Sequence, residues 1–252
     1  MRYTIAIYFN FFIRFKRLSC MLKTIKNQSG YYIYDEDIIN DVAGCFDASY
    51  WEKNNKIIGS AQGRGTTWFV QLEIMQGALR HYRRGGLFGK IISDEYLFTS
   101  YEQTRSIQEF KLLTHLRKQG VNVPKPIAAK AKRHGLIYRA DILSEKIPDA
   151  TDLVDLLATQ KLTELEYQAI GQEVKKLHQA QVNHTDLNIH NILLDKQGKV
   201  WIIDFDKCAE KSGDDWKEEN LSRLLRSFRK EVKKRAIHWD ENEWQYLLHG
   251  YK

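Results

Sequence analysis

Short apolar runs separated by turns fill the first half of the chain, between about residues 27 and 143. Three of them, KIIGS, TTWFVQL and GALRHY, occupy residues 56–60, 66–72 and 77–82. Runs of this length, bounded by glycine and polar residues, predict three antiparallel strands, with AQGRG as the first bend. Two later runs, PIAAKAK and LIYRADIL, predict two more strands of the same small sheet.

One stretch of this first half has helical rather than strand periodicity. Between Ser100 and Lys118 the apolar residues recur every third position, and Glu109 lies on a neighbouring stripe. The spacing predicts an amphipathic helix. Gly120 ends it, and the following VPKP prevents its continuation. The apolar residues of this stripe are Ile107, Phe110, Leu113 and Leu116.

Helical patterns dominate the chain after Thr151. TDLVDLLATQ predicts a first helix, and TELEYQAIGQEVKKLHQAQ a second, in which Thr163 and Glu166 have capping-box spacing. Two later segments, at residues 216–235 and 240–251, predict further helices. Between the second helix and the segment at residues 216–235, NILLD, the turn KQGK and VWIID predict a β-hairpin whose polar residues lie in the flanking loops.

This order of elements predicts an α+β chain with two lobes. We expect a sheet-rich lobe at residues 27–146 and a mainly helical lobe at residues 147–252, joined by the connector SEKIPDATDL. Loops of the hairpin would then lie in the cleft between the lobes. Clefts between lobes are favoured ligand sites.

The charge of the chain is concentrated at its beginning. The net charge is +7, and six cations precede the first acid, Asp35. The remainder is therefore close to neutral, so we expect no nucleic-acid partner. The six cations are Arg2, Arg14, Lys16, Arg17, Lys23 and Lys26.

Residues 1–26 form a basic and apolar extension. Its apolar run, IAIYFNFFI, is far shorter than the roughly 20 residues that span a bilayer, and no small-residue cleavage site follows it. Either the extension lies in an anionic membrane interface, or it is an upstream addition and Met21 is the true start. Three cysteines, Cys20, Cys45 and Cys208, lack metal or redox spacing, which indicates a reduced, cytosolic protein.

The segment HTDLNIHNILLD contains the candidate chemistry. His184, Asp186 and Asn191 fit the pattern H-x-D-x-x-x-x-N, and Asp204 follows the hairpin in IIDFD. A hairpin returns Asn191 and Asp204 to the same end, where an amide oxygen and a carboxylate can share Mg²⁺. Asp186 would remain as the base that orients and deprotonates an attacking hydroxyl, which is the division of labour that phosphoryl transfer needs.

These motifs resemble the protein-kinase-like superfamily and, more closely, the bacterial lipopolysaccharide kinases that act on 3-deoxy-D-manno-octulosonic acid (Kdo). The resemblance covers about residues 56 to 207, through GSAQGRGTTWFVQ, ALRHYRRGGL, RSIQEFKLLTHLRKQGVNVPKPIAA, LIYRADILSEKIP and HTDLNIHNILLD. It implies a two-lobed protein-kinase-like fold, with ATP and Mg²⁺ as cofactors. It also implies transfer of phosphate to the 4-hydroxyl of Kdo on Kdo-lipid A, by a peripheral protein at the cytoplasmic side of the inner membrane.

The resemblance also assigns residues to the nucleotide. Gly63 and Gly65 would form the loop that covers the phosphates, and Glu109 would hold the phosphate-binding cation. Adenine would lie near residues 145–147, which begin with Glu145 and end with Ile147.

The phosphate-binding cation is the main departure from the kinase pattern. Arg80 occupies the position where kinases have lysine, and Lys90 is an alternative. The planar fork of Arg80 could pair bidentately with Glu109 and bind phosphate oxygens. If neither cation reaches the phosphates, the protein would be a pseudokinase that binds nucleotide without transfer.

Other residues near the motif have two interpretations each. Asp206, in DFD, either adds a metal oxygen or is a solvated loop carboxylate, whereas Arg83 and Arg84 either bind anionic sugars or lipid phosphates or form a solvated turn. His184 and His190 are expected to make structural hydrogen bonds. Asn188, the DFD sequence and the short remaining chain disfavour a protein acceptor.

Two other classes of function fit parts of the sequence. His184, Asp186 and His238 could form the iron-binding triad of an oxygenase, although that leaves Asn191 and Asp204 without a role. Within the kinases, a heptose or aminoglycoside kinase would contain the same three catalytic-loop residues.

Overall fold

The computed structural model describes residues 21–63, 65–84 and 94–252. Most of the basic extension, together with Arg64, Lys90 and the rest of residues 85–93, lies outside the described residues.

Eight strands build the large sheet of the first lobe. They are β1 (Leu22–Asn27), β2 (Gly30–Asp35), β3 (Ile57–Gln62), β4 (Thr66–Gln71), β5 (Gln76–His81), β6 (Tyr96–Leu97), β7 (Pro126–His134) and β8 (Ile137–Glu145). The order across the sheet is β1-β2-β7-β8-β5-β4-β3, and the short β6 also pairs with β8. Every pairing is antiparallel, which confirms the five strands expected from the sequence.

Strands β1 and β2 were not expected from the sequence, and they add to the sheet beyond β7. The two strands differ in burial: the residues of β1 are mostly exposed, whereas those of β2 are mostly buried. Strand β1 therefore lies at the sheet edge, with Lys23 and Lys26 on it. The sheet thus begins inside the segment that the sequence assigned to the extension.

Helices lie on both faces of the sheet and throughout the second lobe. They are α1 (Ala48–Lys53), α2 (Arg105–Lys118), α3 (Leu153–Leu157), α4 (Glu164–Gln179), α5 (Asp215–Arg235) and α6 (Trp244–Tyr251). Thr163 and Glu166 form the predicted capping box of α4. Helix α2 begins at Arg105 rather than near Ser100, because residues 100–104 form hydrogen-bonded turns and Thr104 has an extended backbone.

Short strands complete the second lobe: β9 (Ala150–Asp152), β10 (Val182–Asn183), β11 (Ile192–Asp195), β12 (Val200–Ile202) and β13 (Ala209–Glu210). Strands β11 and β12 form the predicted hairpin, and β9 pairs with the other edge of β11. Strand β10 pairs with β13, so the chain on both sides of the hairpin is held by a second ladder. Within the described chain no helix has both the length and the apolar character needed to cross a bilayer.

One apolar core runs through both lobes. Ile107, Phe110 and Leu116 of α2 are completely buried in the same cluster as Val174 and Leu177 of α4. A smaller cluster covers the opposite face of the sheet, around Trp51 of α1. The antiparallel-sheet lobe and the mainly helical lobe confirm the expected fold class.

A buried acid ties the two lobes together. Glu173 on α4 accepts hydrogen bonds from the backbone and side-chain nitrogens of Asn122, at 2.5 and 2.9 Å. The carbonyl of Asn122 in turn accepts from the amide of Ile202 at 3.0 Å. The loop after α2 is therefore fixed to the hairpin that carries the candidate chemistry.

Candidate active site

The segment between β10 and β11 forms a tight loop around a buried histidine. Nε2 of His184 lies 3.0 Å from the carbonyl oxygen of Ile203, and Nδ1 accepts the amide of Asp186 at 3.3 Å. These partners fix the proton on Nε2. Burial lowers the pKa of His184, which favours the neutral ring. The expected structural role of His184 is confirmed.

Backbone contacts on both sides of Ile203 place Asp204 beside the loop. The amide of Ile203 donates to the carbonyl of Asn191 at 2.9 Å, and its carbonyl is held by His184. Asp204 follows directly and has a left-handed backbone, with φ of 61°. Such a conformation in a residue other than glycine is costly and is concentrated at functional sites.

Asn191 and Asp186 are joined by their own hydrogen bond. Nδ2 of Asn191 donates to the carbonyl of Asp186 at 2.9 Å, and Asn191 is buried. The side chain of Asp186 is exposed. Among the described residues, its backbone makes hydrogen bonds, but no residue pairs with its carboxylate. A base that must reach a substrate hydroxyl requires this kind of accessibility.

Arg80 crosses from the sheet to the catalytic loop. Its Nη2 lies 2.7 and 2.6 Å from the two carboxylate oxygens of Glu109, and its Nη1 lies 2.7 Å from Oδ1 of Asp204. The expected pairing with Glu109 is therefore present, but one nitrogen makes it and the other arm of the fork holds Asp204. Burial alone would lower the pKa of Arg80; the surrounding acids raise it well above its ordinary value.

The partner acid is fixed by a second group of the sheet. Oη of Tyr82 donates to Oε2 of Glu109 at 2.5 Å, and Glu109 is buried. The carboxylate thus receives three hydrogen bonds from Arg80 and Tyr82. Burial raises the pKa of Glu109, and Arg80 opposes that effect.

Asp206 is not a solvated loop carboxylate. Its side chain is largely buried, and its Oδ1 lies 3.0 Å from Nε of Arg105 at the start of α2. The ion pair with Arg105 replaces the solvated interpretation of Asp206. This pair fastens the segment after Asp204 to the first lobe.

A cavity of about 530 Å³ opens between the lobes. Five of the nucleotide or metal residues predicted from the sequence line it: Arg80, Glu109, Glu145, Ile147 and Asp204. Four others lie outside its lining: Gly63, Gly65, Asp186 and Asn191. Its apolar walls include Ala78 and Phe69 from the sheet and Leu193 and Ile203 from the hairpin, a combination suited to a flat aromatic base.

Glu145 lies at the back of this cavity with its side chain already engaged. Oε2 accepts the backbone amide of Lys125 at 2.9 Å, and the amide of Glu145 donates to the carbonyl of Lys125 at 2.8 Å. A contact from Glu145 to a ligand would therefore use its backbone. Residues 145–147 line the cavity together with Ser144.

The glycine loop is a tight turn between β3 and β4. The amide of Gly63 donates to the carbonyl of Gly65 at 3.0 Å. A Cβ at Gly65 would lie only 2.7 Å from Cδ of Arg83, so a side chain there would displace the arginine. Arg83 is thus placed against the loop. Arg84 instead donates from Nε to the carbonyl of Glu95 at 2.7 Å, a structural contact.

Sequence analysis missed the residues at the polar end of the cavity. His190 and Asp155 both line it. Nε2 of His190 lies 3.4 Å from the buried Glu231, and Arg235 contacts both Glu231, at 3.4 Å, and Asp155, at 3.5 Å. The structural contact expected of His190 is present, but its partner lies 41 residues away. Local sequence contains no signal for that pairing.

The donor set fits a hard divalent cation. Nδ2 of Asn191 is used by Asp186, so Oδ1 is the atom that can ligate a metal, and the carboxylate of Asp204 lies in the cavity. An amide oxygen and a carboxylate are ligands that Mg²⁺ accepts, with water and phosphate oxygens completing its shell.

The two-lobed fold, the Arg80–Glu109 pair and the loop that joins Asp186, Asn191 and Asp204 define a protein-kinase-like phosphotransferase. The sequence comparison narrows this class. Residues 48–251 match the family model described as "Lipopolysaccharide kinase (Kdo/WaaP) family". The chain belongs to that family.

Curated relatives match almost the whole chain. A 3-deoxy-D-manno-octulosonic acid kinase of Vibrio parahaemolyticus is 58% identical over 228 residues, which cover 90% of this chain and 96% of the relative. A kinase of the same name from Actinobacillus succinogenes is 48% identical over 239 residues, which cover 92% and 100%. Among solved structures, "WaaP in complex with acyl carrier protein" has a TM-score of 0.55 at 16% identity, with 80% and 81% coverage, and supports the fold.

The oxygenase interpretation is wrong. Both ring nitrogens of His184 are engaged by backbone groups, and His238 is exposed, with its own amide donating to the carbonyl of Leu157 at 2.7 Å. Membership of the lipopolysaccharide kinase family also argues against an oxygenase.

Proposed function

We propose that this protein transfers the γ-phosphate of ATP to the 4-hydroxyl of Kdo on Kdo-lipid A. The observation that carries the proposal is the placement of Asp186, Asn191 and Asp204 by Ile203 and His184. The names of the curated relatives support Kdo as the acceptor.

In this proposal Asp186 orients the acceptor hydroxyl and accepts its proton. The position of its backbone is fixed on one side by His184 and on the other by Asn191, so the carboxylate is presented without a rearrangement of the loop. Preorganisation of this kind is the main contribution that a protein makes to phosphoryl transfer.

ATP would occupy the 530 Å³ cavity, with adenine between the apolar walls and backbone of residues 145–147 and the phosphates near Arg80. Asn191 and Asp204 would hold Mg²⁺, which neutralises phosphate charge when bound. The engagement of Arg80 by Glu109 supports a catalytic protein over a pseudokinase, because the cation is held at the cavity wall.

The acceptor is a lipid, so we propose that the protein works as a peripheral protein at the cytoplasmic face of the inner membrane. Basic and apolar residues of the extension fit this location, as does the net charge of +7.

The direct test is incubation of the purified protein with labelled ATP and Kdo-lipid A, beside a heptosylated acceptor and aminoglycosides. Label on Kdo-lipid A that is absent with Asp186→Asn would support the proposal. Transfer to the heptosylated acceptor or to aminoglycosides alone would indicate another small-molecule kinase. ATP binding without transfer to any acceptor would indicate a pseudokinase.

A further inference from the structure

Two strongly exposed leucines lie next to each other at one corner of the large sheet. Leu97 is 77% exposed and Leu136 is 79% exposed. Leu97 pairs in register with Ile137, and the amide of Phe98 donates to the carbonyl of Leu136 at 2.9 Å. The ladder between β6 and β8 therefore holds both leucines in one rigid surface.

Basic side chains surround these leucines. Lys132 pairs in register with Arg139 across the β7–β8 hairpin, and Arg133 follows at the hairpin end. The guanidinium of Arg133 lies 4.7 Å from the ring centre of Phe98, beside Leu97. We name the surface formed by Leu97, Leu136, Lys132, Arg133 and Arg139 the leucine corner.

Lys26, near the end of the edge strand β1, adds another positive charge. Lys26 lies 5.4 Å from the ring centre of Tyr101, and that ring contacts Phe98 at 5.0 Å. The lysine of the edge strand is thus joined to the leucine corner through two aromatic rings.

The nearby acids already have partners. Asp94 and Glu95 lie 3.2 and 3.0 Å from the guanidinium of Arg139, and Glu102 accepts from Oη of Tyr31 at 3.2 Å. Four cations (Lys26, Lys132, Arg133 and Arg139) and three acids (Asp94, Glu95 and Glu102) leave a net charge of +1 at the corner, and Arg139 is the cation that the acids contact. Exposed leucines beside lysines and arginines suit an anionic membrane interface. There the acyl chains accept the leucines and the headgroups attract the cations.

Another leucine shows that exposure alone does not make such a surface. Leu165 on α4 is 75% exposed, but its chain neighbours are Glu164 and Glu166. Leu165 is about as exposed as each leucine of the corner, but its charged neighbours are acids instead of cations. Leu165 is consequently a matched control.

The leucine corner is linked by side-chain contacts to the segment that follows Asp204. Tyr96, next to Leu97, lies under the guanidinium of Arg105 with 4.8 Å to the ring centre. Arg105 binds Asp206, two residues after Asp204. Tyr96 and Arg105 thus connect the corner to the chain two residues after Asp204.

We propose that the leucine corner docks on an anionic lipid bilayer, with Leu97 and Leu136 inserted among the acyl chains and the basic residues against headgroup phosphates. Docking would bring a lipid-linked acceptor to the active site, so this inference rests on the proposed function. Its test reads lipid binding and does not depend on phosphate transfer.

The experiment is co-sedimentation of the full chain with vesicles of phosphatidylcholine alone or mixed with phosphatidylglycerol. We expect the wild type to prefer the mixed vesicles. Leu97→Ser combined with Leu136→Ser should lower partitioning roughly tenfold or more, because two leucines lose their burial in lipid. Lys132→Glu combined with Arg133→Glu should remove the preference for phosphatidylglycerol. Leu165→Ser should partition as the wild type does.

Equal partitioning of the Leu97→Ser/Leu136→Ser variant and the wild type would overturn the proposal, as would a wild type without preference for the anionic vesicles. Self-association that the leucine variant abolishes without vesicles would assign the corner to a second copy instead. All variants should retain the thermal midpoint and ATP affinity of the wild type. Phosphate transfer to a detergent-dispersed acceptor tests the proposed function separately. If transfer failed while vesicle binding was intact, the proposed function would be wrong and the docking proposal would still hold.

Discussion

The guanidinium of Arg80 lies 2.7 Å from the carboxylate of Asp204, while its other nitrogen holds Glu109. The arginine thus replaces the usual lysine with a group that contacts both acids at once. A lysine has a single compact ammonium and cannot reproduce this planar fork.

We therefore expect Arg80→Lys to keep the fold and raise the KM for ATP about tenfold, since one of the two acids loses its charge-assisted hydrogen bond. Arg80→Met should abolish transfer, because it leaves the buried Glu109 without its cation. Steady-state kinetics with varied ATP, beside direct ATP-binding measurements, provide the check. Arg226→Lys, on an exposed part of α5, is the control. An unchanged KM in Arg80→Lys would contradict the two-acid role.

In the proposed mechanism the carboxylate of Asp186 acts on the acceptor hydroxyl and not on the nucleotide. Asp186→Asn keeps the shape of the side chain and removes the base, so kcat should fall about a thousandfold while ATP affinity stays nearly constant. Asp149→Asn, at another exposed loop carboxylate, should have no such effect. Single-turnover transfer and equilibrium ATP binding separate the two quantities. A kcat within a few-fold of the wild type would exclude Asp186 as the base.

Asp204 and Asp206 are close in sequence but make different contacts. Asparagine tolerates the left-handed backbone of Asp204, so Asp204→Asn should fold and should need more Mg²⁺ for half-maximal activity. Asp206→Asn should weaken the ion pair with Arg105 and leave the Mg²⁺ requirement unchanged. Activity measured across a Mg²⁺ titration distinguishes them. An identical Mg²⁺ requirement in Asp204→Asn and the wild type would argue against a metal role.

The sequence predicted the parts of the fold and site that depend on local pattern. The spacing of Asp186 and Asn191, and the hairpin that returns the chain to Asp204, are set within about twenty residues, so turn chemistry and apolar runs were sufficient. Strand β1 was not predicted, because most of its positions are exposed and its sequence lacks the alternation of apolar and polar residues that indicates a strand.

Contacts between distant residues could not be predicted in the same way. Arg105 meets Asp206, and His190 meets Glu231, only because α2 and α5 pack against the catalytic loop segment. Aspartate and glutamate side chains are usually exposed to solvent. The sequence alone therefore favours the wrong environment for Asp206 in its loop and for Glu231 on α5. Tertiary packing decides such cases.

His178 makes the stability of the second lobe depend on pH. Nδ1 lies 2.8 Å from Oη of Tyr251, and the ring contacts Trp216 edge-on. Burial lowers the pKa of His178 from 6.5 to about 4. The unfolded chain therefore takes up a proton at a pH where the folded chain does not, and stability is lost as pH falls from 6.5 toward 4.

We expect His178→Phe to remove this part of the pH dependence, which amounts to about 3 kcal/mol or less. Urea unfolding at several pH values between neutrality and the folded-state pKa would measure it. His249→Phe, at an exposed position of α6, is the control and should keep the wild-type slope. A variant His178→Phe with the wild-type slope would show that other groups cause the dependence.

Helices α4 and α6 approach so closely that their backbones touch. A Cβ at Gly171 would lie 2.0 Å from the carbonyl oxygen of Leu247, and one at Gly250 would lie 2.0 Å from the carbonyl oxygen of Gln168. Glycine to alanine in a helix ordinarily stabilises by roughly 0.5–1 kcal/mol. Here the sign should reverse, because backbone atoms cannot yield as a flexible side chain does.

Gly171→Ala should therefore destabilise the protein by about 3 kcal/mol or more, and Gly250→Ala should do the same. Because both substitutions force the same pair of helices apart, the double variant should cost less than the sum of the two single variants. Urea denaturation followed by circular dichroism measures these values, and Gln172→Ala, at the exposed position beside Gly171, should change stability by no more than roughly 0.5 kcal/mol. Stabilisation by Gly171→Ala would mean that α4 and α6 do not cross at these glycines.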